Sequence, residues 1–204
     1  MTILIPGTDW QRHGGWSLNS ALFAYANTPP LGGPVRLLDW SGRNSDAGRI
    51  GAARRLRRII ASHRFSAGEP LNIIGHSHGG NVALAASHLG LGRTIRLLIT
   101  LNKPARRGKA YIPRPNIEQF YNLSAQRDWL QWFGSDAKWR HATDRHAINH
   151  IFDTSASPLK PHAALIWDDD FREGWWNWLK FRVAQSYGPA AESEVAWQQS
   201  QTGS

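Results

Sequence analysis

Ser77, Asp128 and His162 are a hydroxyl nucleophile, a carboxylate and a base, met in that order along 204 residues. Together they could cleave an acyl bond. A serine hydroxyl is a poor nucleophile at neutral pH and needs a base to take its proton. The base needs a partner that fixes its tautomer and supports the imidazolium. Ser77 stands in Gly75-His76-Ser77-His78-Gly79, a Gly-x-Ser-x-Gly pattern. Chance can produce that pattern in a chain with 19 glycines, but here its surroundings are specific. The apolar run Leu71-Asn72-Ile73-Ile74 before it reads as a buried strand. The small and apolar residues from Gly79 to Ala85 read as a closely packed helix. A serine on a sharp strand-to-helix turn is lifted to the end of a sheet, beside the unpaired N–H groups of a helix start.

Each partner has rivals. Asp128 is the first carboxylate after a predicted strand, and the alternative role for it is a helix N-cap before Trp129-Leu130-Gln131-Trp132. Asp136 and Asp144 are the other carboxylates in range. His162 lies in a predicted loop, Ser155 to His162, just before a helix. Its rivals are His141, His146 and His150, the last adjoining or entering a strand where a ring would be packed. His76 and His78 stand too close to Ser77 in sequence to reach back as its base. A metal pair at His76-x-His78 lacks any supporting carboxylate cluster, so neither metal nor cofactor is expected. An oxyanion would need two N–H donors. One is the backbone of His78, and the other comes from the loop after the first strand, at Thr8 with Asp9 as its neighbour.

These residues need a scaffold that brings them to one edge. Strands are predicted at Thr2–Ile5, Val35–Trp40, Leu71–His76, Thr94–Leu101, Ile117–Ala125 and Ile148–Phe152. Helices are predicted over Gly14–Ala26, Asp46–Ser62 (with Ser45 or Asp46 as N-cap), Gly79–Leu89 and Trp167–Gln185, the last opening on Asp168-Asp169-Asp170. Strands alternating with helices imply βαβ units, a parallel sheet and a ligand site beyond the carboxyl ends of the strands. Residues 1–187 read as one domain, and 188–204 as a flexible tail.

The net charge of +9 favours phosphate-bearing or acidic partners. An anionic membrane surface fits it. The arginines are scattered, so no specific nucleic acid is expected. The dense group at Arg54, Arg55, Arg57 and Arg58 lies opposite Ala53, Leu56, Ile59 and Ile60, which suits a solvated helix face. The basic loop 102–116 leaves the active edge of the sheet and either borders a substrate or is an ordinary connection. Eleven tryptophans are many, and core packing accounts for most of them, while Trp175-Trp176-x-Trp178 is crowded enough to suggest an exposed ring or two at a lipid interface or acyl pocket. There is no cysteine. With no basic leader before the first strand, a cytoplasmic protein, or export without a cleaved signal, is expected.

In this order the motifs resemble those of α/β-hydrolases, more narrowly the lipases and esterases with a Gly-His-Ser-His-Gly-Gly elbow, and loosely the phospholipase-type effectors of type VI secretion. The resemblance runs from Pro6-Gly7-Thr8 through Trp40-Ser41-Gly42 and the elbow to Asp128 and Pro161-His162. It implies a minimal α/β-hydrolase fold: a mostly parallel sheet of about six strands, flanked by helices, with no cap domain. It implies a serine hydrolase acting on carboxylic esters, with lipid or other bulky acyl esters as substrates. Two alternatives stay open: an acyltransferase or thioesterase on the same residues, and a non-catalytic basic binding module for lipid or nucleic acid.

Overall fold

A computed structural model of the chain describes residues 1–8, 16, 20–133, 135–136, 144–157 and 159–187. Six parallel strands form one sheet in the order β2-β1-β3-β4-β5-β6. They are β1 (Thr2–Ile5), β2 (Val35–Leu37), β3 (Leu71–His76), β4 (Ile95–Leu101), β5 (Ile117–Ala125) and β6 (Ile148–Phe152). The helices are α1 (Ala21–Ala26), α2 (Asp46–Ser62), α3 (His78–Ser87), α4 (Trp129–Phe133), α5 (Pro161–Trp167) and α6 (Asp169–Tyr187). This is the minimal α/β-hydrolase architecture, with no cap domain among the described residues.

The alternation of side chains along each strand assigns the two helical layers. Ile3, Ile5, Ile73 and Leu98 point into a core shared with Leu56 and Ile60 of α2 and Val82 of α3. Leu4, Ile74, Leu97 and Ile99 point the other way, against Leu22, Leu165, Trp175 and Leu179 of α1, α5 and α6. The inner strands are therefore apolar on both faces, as a covered parallel sheet requires. A side chain such as Leu56, fully buried, contributes about 2 kcal/mol by leaving water. The chain order reverses where β3 lies beside β1 with β2 on the outside. That reversal opens a crevice between the carboxyl ends of β1 and β3, and Ser77 stands at its lip.

Several boundaries differ from expectation. β2 ends at Leu37 rather than Trp40. The first helix begins at Ala21, since Ser20 is extended backbone; its predicted earlier part falls largely outside the described residues. Ser45 caps α2, accepting from the Gly48 N–H at 3.1 Å. The predicted final helix, Trp167–Gln185, starts two residues later as α6: Trp167 closes α5, a short helix not expected, and Asp168 is extended backbone, so only Asp169 and Asp170 occupy the first turn of α6. The crowded tryptophans are not at the rim. Trp175, Trp176 and Trp178 are all buried, because α6 lays that face on the sheet and on α1. The Trp175 indole donates to the Leu165 carbonyl at 2.8 Å, and Trp178 meets Tyr121 edge-on at 5.8 Å between centroids. The predicted tail 188–204 lies outside the described residues. None of the described helices is long and apolar enough to cross a membrane.

Candidate active site

β3 is buried throughout and ends in the turn at Ser77. Ser77 has φ +51° and ψ −129°, a left-handed conformation that a serine adopts only when its surroundings impose it. The surroundings do so. The Ser77 N–H donates to the Leu101 carbonyl at 2.8 Å, tying the turn to the end of β4. Gly79 lets α3 cross the end of β1: a Cβ there would fall on the Ile5 carbonyl oxygen and within 2.7 Å of the Pro6 carbonyl oxygen. Gly7 lets the loop after β1 reach the serine, since a Cβ on it would stand 2.9 Å from the Ser77 Cβ. Trp40, although beyond β2, holds that loop by donating from its indole to the Pro6 carbonyl at 2.9 Å. Thr8, which follows Gly7 in that loop, is half-buried; its rival Asp9 lies outside the described residues. His78 is the first residue of α3, where a helix leaves N–H groups unpaired.

Asp128 and His162 meet. His162 Nδ1 lies 2.7 Å from Asp128 Oδ2, with the carboxylate buried and the ring mostly so. The other carboxylate oxygen accepts the Gln131 N–H at 3.0 Å. Asp128 thus fills both roles weighed from sequence, helix cap and histidine partner. Gln131 extends the anchorage by donating to the Lys103 carbonyl at 2.8 Å and the Ser124 hydroxyl at 3.1 Å. His162 does not sit in a loop. It is the second residue of α5, whose Pro161 starts the helix with a preset φ and no N–H to satisfy. None of the described hydrogen bonds joins Ser77 Oγ to His162.

The rival residues are engaged elsewhere. Asp136 pairs with Arg106 and accepts the Arg107 N–H at 3.0 Å. Asp144 faces Lys103 at 3.6 Å. Burial pulls the Lys103 ammonium below its usual range, and Asp144 opposes that shift. His150 packs against the Phe152 and Trp178 rings at 4.4 and 4.8 Å between centroids, while His146 lies beside Arg145. His141 lies outside the described residues.

The histidines that flank Ser77 have separate partners. His76 Nε2 lies 3.1 Å from the His162 carbonyl oxygen, and its ring is 4.8 Å from the His162 ring. Burial first, and the His162 ring second, push its pKa down to about 3. His78 Nδ1 lies 3.5 Å from Arg49 Nη1 and its Nε2 3.4 Å from Arg106 Nη2. Burial, then the Arg49 and Arg106 guanidinium charges, also bring it to about 3. Both rings are neutral near pH 7.

The arginine network beside His78 is absent from the sequence expectations. Arg49 is buried and donates to Asp46 at 2.5 Å, to the Tyr111 hydroxyl at 3.0 Å and to Asn44 at 3.0 Å. Burial alone would lower its pKa; the hydrogen bonds to Tyr111 and Asp46 outweigh that and raise it. The signal was present. Helical spacing puts Arg49 on the stripe of Ala52, Ala53, Leu56 and Ile60, where an arginine must be buried and paired.

No family model matches the chain, and no curated protein matches it. Solved structures do. One is a Xanthomonas campestris pv. campestris protein described as a hydrolase of the alpha/beta superfamily: 20% identity over 88% of this chain and 97% of that one, TM-score 0.57. A lipase-esterase related protein from Clostridium acetobutylicum matches at 14% identity over 88% and 93%, TM-score 0.54. YbtT, a type II thioesterase of the yersiniabactin pathway, matches at 16% identity over 87% and 90%, TM-score 0.50. At such identities the likeness is one of architecture: the chain has an α/β-hydrolase fold, and Ser77, Asp128 and His162 lie at the carboxyl edge of its sheet.

Proposed function

We propose that the protein is a serine hydrolase of carboxylic esters. Ser77 Oγ attacks the ester carbonyl and its proton passes to His162 Nε2. Asp128 accepts from His162 Nδ1–H, which leaves Nε2 as the basic nitrogen and supports the imidazolium once it forms. The His78 and Thr8 N–H groups hold the oxyanion, a donor of this kind being worth about 10²–10³ in rate. Collapse of the intermediate breaks the ester C–O bond, and the alcohol leaves with the proton from His162. Water then cleaves the acyl-enzyme by the reverse assignment of roles, freeing the acid and Ser77.

The observation that carries this reading is the 2.7 Å His162–Asp128 hydrogen bond at the sheet edge that also holds Ser77 at φ +51°. Lipid or other bulky acyl esters suit the surroundings. Trp129 and Leu130, next to Asp128, are 46% and 39% exposed, and Leu159, near His162, is 38% exposed. With a net charge of +9 they favour an anionic lipid surface as the place of action. Neither a cofactor nor a specific nucleic acid enters the proposal. A thioester carbonyl would be open to the same acyl-enzyme route, and the likeness in fold to a type II thioesterase favours testing it.

The test is labelling with a fluorophosphonate, comparing the parent with Ser77→Ala and His162→Ala, followed by hydrolysis of short- and long-chain esters and of an acyl thioester. Labelling of the parent and loss of it in both variants is expected, with faster turnover of longer acyl esters. A folded parent that takes no label would overturn the proposal and favour a binding module built on this fold.

A further inference from the structure

Three side-chain contacts converge on the backbone of the short helix that carries His162, none of them from Ser77 or Asp128, and two more fix the residue that makes two of the three. The His162 carbonyl oxygen lies 3.1 Å from His76 Nε2 and accepts the Asn102 side-chain amide, also at 3.1 Å. The same amide nitrogen lies 3.3 Å from the Pro161 carbonyl oxygen. At its other end, Asn102 Oδ1 accepts the Ala125 N–H at 2.7 Å. The Asn102 N–H donates to the Leu123 carbonyl at 2.8 Å. Asn102 is fully buried and holds φ +52°, a conformation that asparagine tolerates better than other residues with a side chain. His76 is seated in an aromatic enclosure, with Trp16 and Trp167 each 6.0 Å away between centroids and His162 at 4.8 Å.

These contacts matter because α5 is short and weakly held by its own means. It has seven residues, and Lys160 at its N-cap supplies no side-chain hydrogen bond. Its start is fixed instead from the ends of β3 and β4, the strands that lead into Ser77 and end at its anchor Leu101. We propose that His76 and Asn102 are positioning residues, which set the distance and angle of the His162 imidazole relative to Ser77 by gripping its backbone carbonyl. The inference rests on the reading of His162 as the base. His76 is suited to the task because an uncharged ring can lie against His162 without repelling the imidazolium that forms during turnover. A neutral imidazole with its proton on Nε2 also has the donor where the carbonyl stands. The consequence is a reach effect. An offset of about 1 Å in the base can cost on the order of 100-fold in rate while leaving substrate binding alone.

The experiment uses the full chain and three variants. Asn102→Gly removes the amide and keeps a residue at ease with positive φ. His76→Phe keeps a ring in the enclosure and removes the donor, and His76→Gln offers a donor again. Thermal unfolding first establishes which variants are folded. Ester kinetics then separate kcat from KM, and proton NMR follows the downfield resonance of His162 Nδ1–H bonded to Asp128, which is also recorded in Ser77→Ala. Expected are a 10- to 100-fold fall in kcat with KM within twofold, a shifted or broadened resonance in Asn102→Gly and His76→Phe, and partial recovery of both in His76→Gln. Folded variants with unchanged kcat and an unchanged resonance would overturn the inference, as would a fall in kcat that tracks the loss of folded protein alone. If Asn102→Gly does not fold, the His76 pair decides. If the parent cleaves no ester, the proposed function fails, and the resonance in the variants still decides whether His76 and Asn102 position His162.

Discussion

Two histidines flank one serine, and the regions around them are opposites. The His76 side is a buried aromatic enclosure that closes on His162. The His78 side is a charged web of Arg49, Arg106, Asp46 and the Tyr111 hydroxyl. Both rings are brought to about pKa 3, one by burial with a second imidazole beside it, the other by burial with two guanidinium groups. The difference teaches that a titration value does not name an environment. On the proposed function, one flank orients the base, and the other braces the helix start that carries the proposed oxyanion donor. Damage to the first should appear in rate, and damage to the second in stability.

The largest expected effect lies on the reactive flank. His162→Ala and Asp128→Ala should each lower kcat by about 10³-fold or more, with little change in thermal unfolding for His162→Ala; steady-state ester kinetics and differential scanning calorimetry check this. A large loss of stability with little loss of rate would erase the contrast. On the charged flank, Arg49→Ala should cost about 2–3 kcal/mol, since it removes buried hydrogen bonds and leaves the Tyr111 hydroxyl without a donor, while the Asp46 side chain is mostly in water. Turnover per folded molecule should stay within about threefold, read from urea unfolding and active-site titration. An equal fall in rate would join the two flanks into one site.

Acid sharpens the comparison by acting on both flanks together. Each ring is neutral in the folded protein at about pKa 3 and takes up a proton near pH 6.5 when unfolded. The unfolded state therefore binds more protons between those values. The stability contributed is fully present above about pH 6.5 and is lost as pH falls toward 3, by about 1.4 kcal/mol per pH unit for each histidine. Urea midpoints at pH 6.5, 5.5 and 4.5 should fall accordingly, and less steeply in His76→Phe; an identical slope would mean that His76 is protonated in the folded state. The smallest effect belongs to the outer face of α2. Gly51 has open space where a Cβ would stand, so Gly51→Ala should stabilise by about 0.5–1 kcal/mol and leave rate untouched.

The sequence carried the strand-helix alternation and the turn at Ser77 because both depend on local pattern: apolar runs, small residues and glycines at fixed spacing. The pairing of Asp128 with His162, formed at 2.7 Å, was legible through their order along the chain. What stayed hidden depended on contacts across strands. Pro161 is the local signal for the start of the helix that carries His162, but what holds that start in place, Asn102 and His76 from the ends of β4 and β3, is distant in sequence. The suggestion of an exposed ring or two among Trp175, Trp176 and Trp178 failed for a related reason. Crowding along the chain says nothing of which face the sheet will cover, and α6 turned that face inward. Arg49 was the one concealed residue with a local clue, its place on an apolar stripe.

The double use of Asp128 has a consequence of symmetry. A carboxylate is unchanged by a half-turn about its Cβ–Cγ bond, so a flip that exchanges the oxygens on Gln131 and His162 returns the same arrangement. No orientation of Asp128 is wrong. An amide has no such equivalence. In Asp128→Asn, turning the oxygen toward His162 aims an NH₂ at the Gln131 N–H and uncaps α4. Turning the oxygen toward Gln131 aims the NH₂ at His162 Nδ1 and moves the imidazole proton to Nε2, the nitrogen assigned to receive one from Ser77. One missing equivalence would set the helix and the histidine against each other.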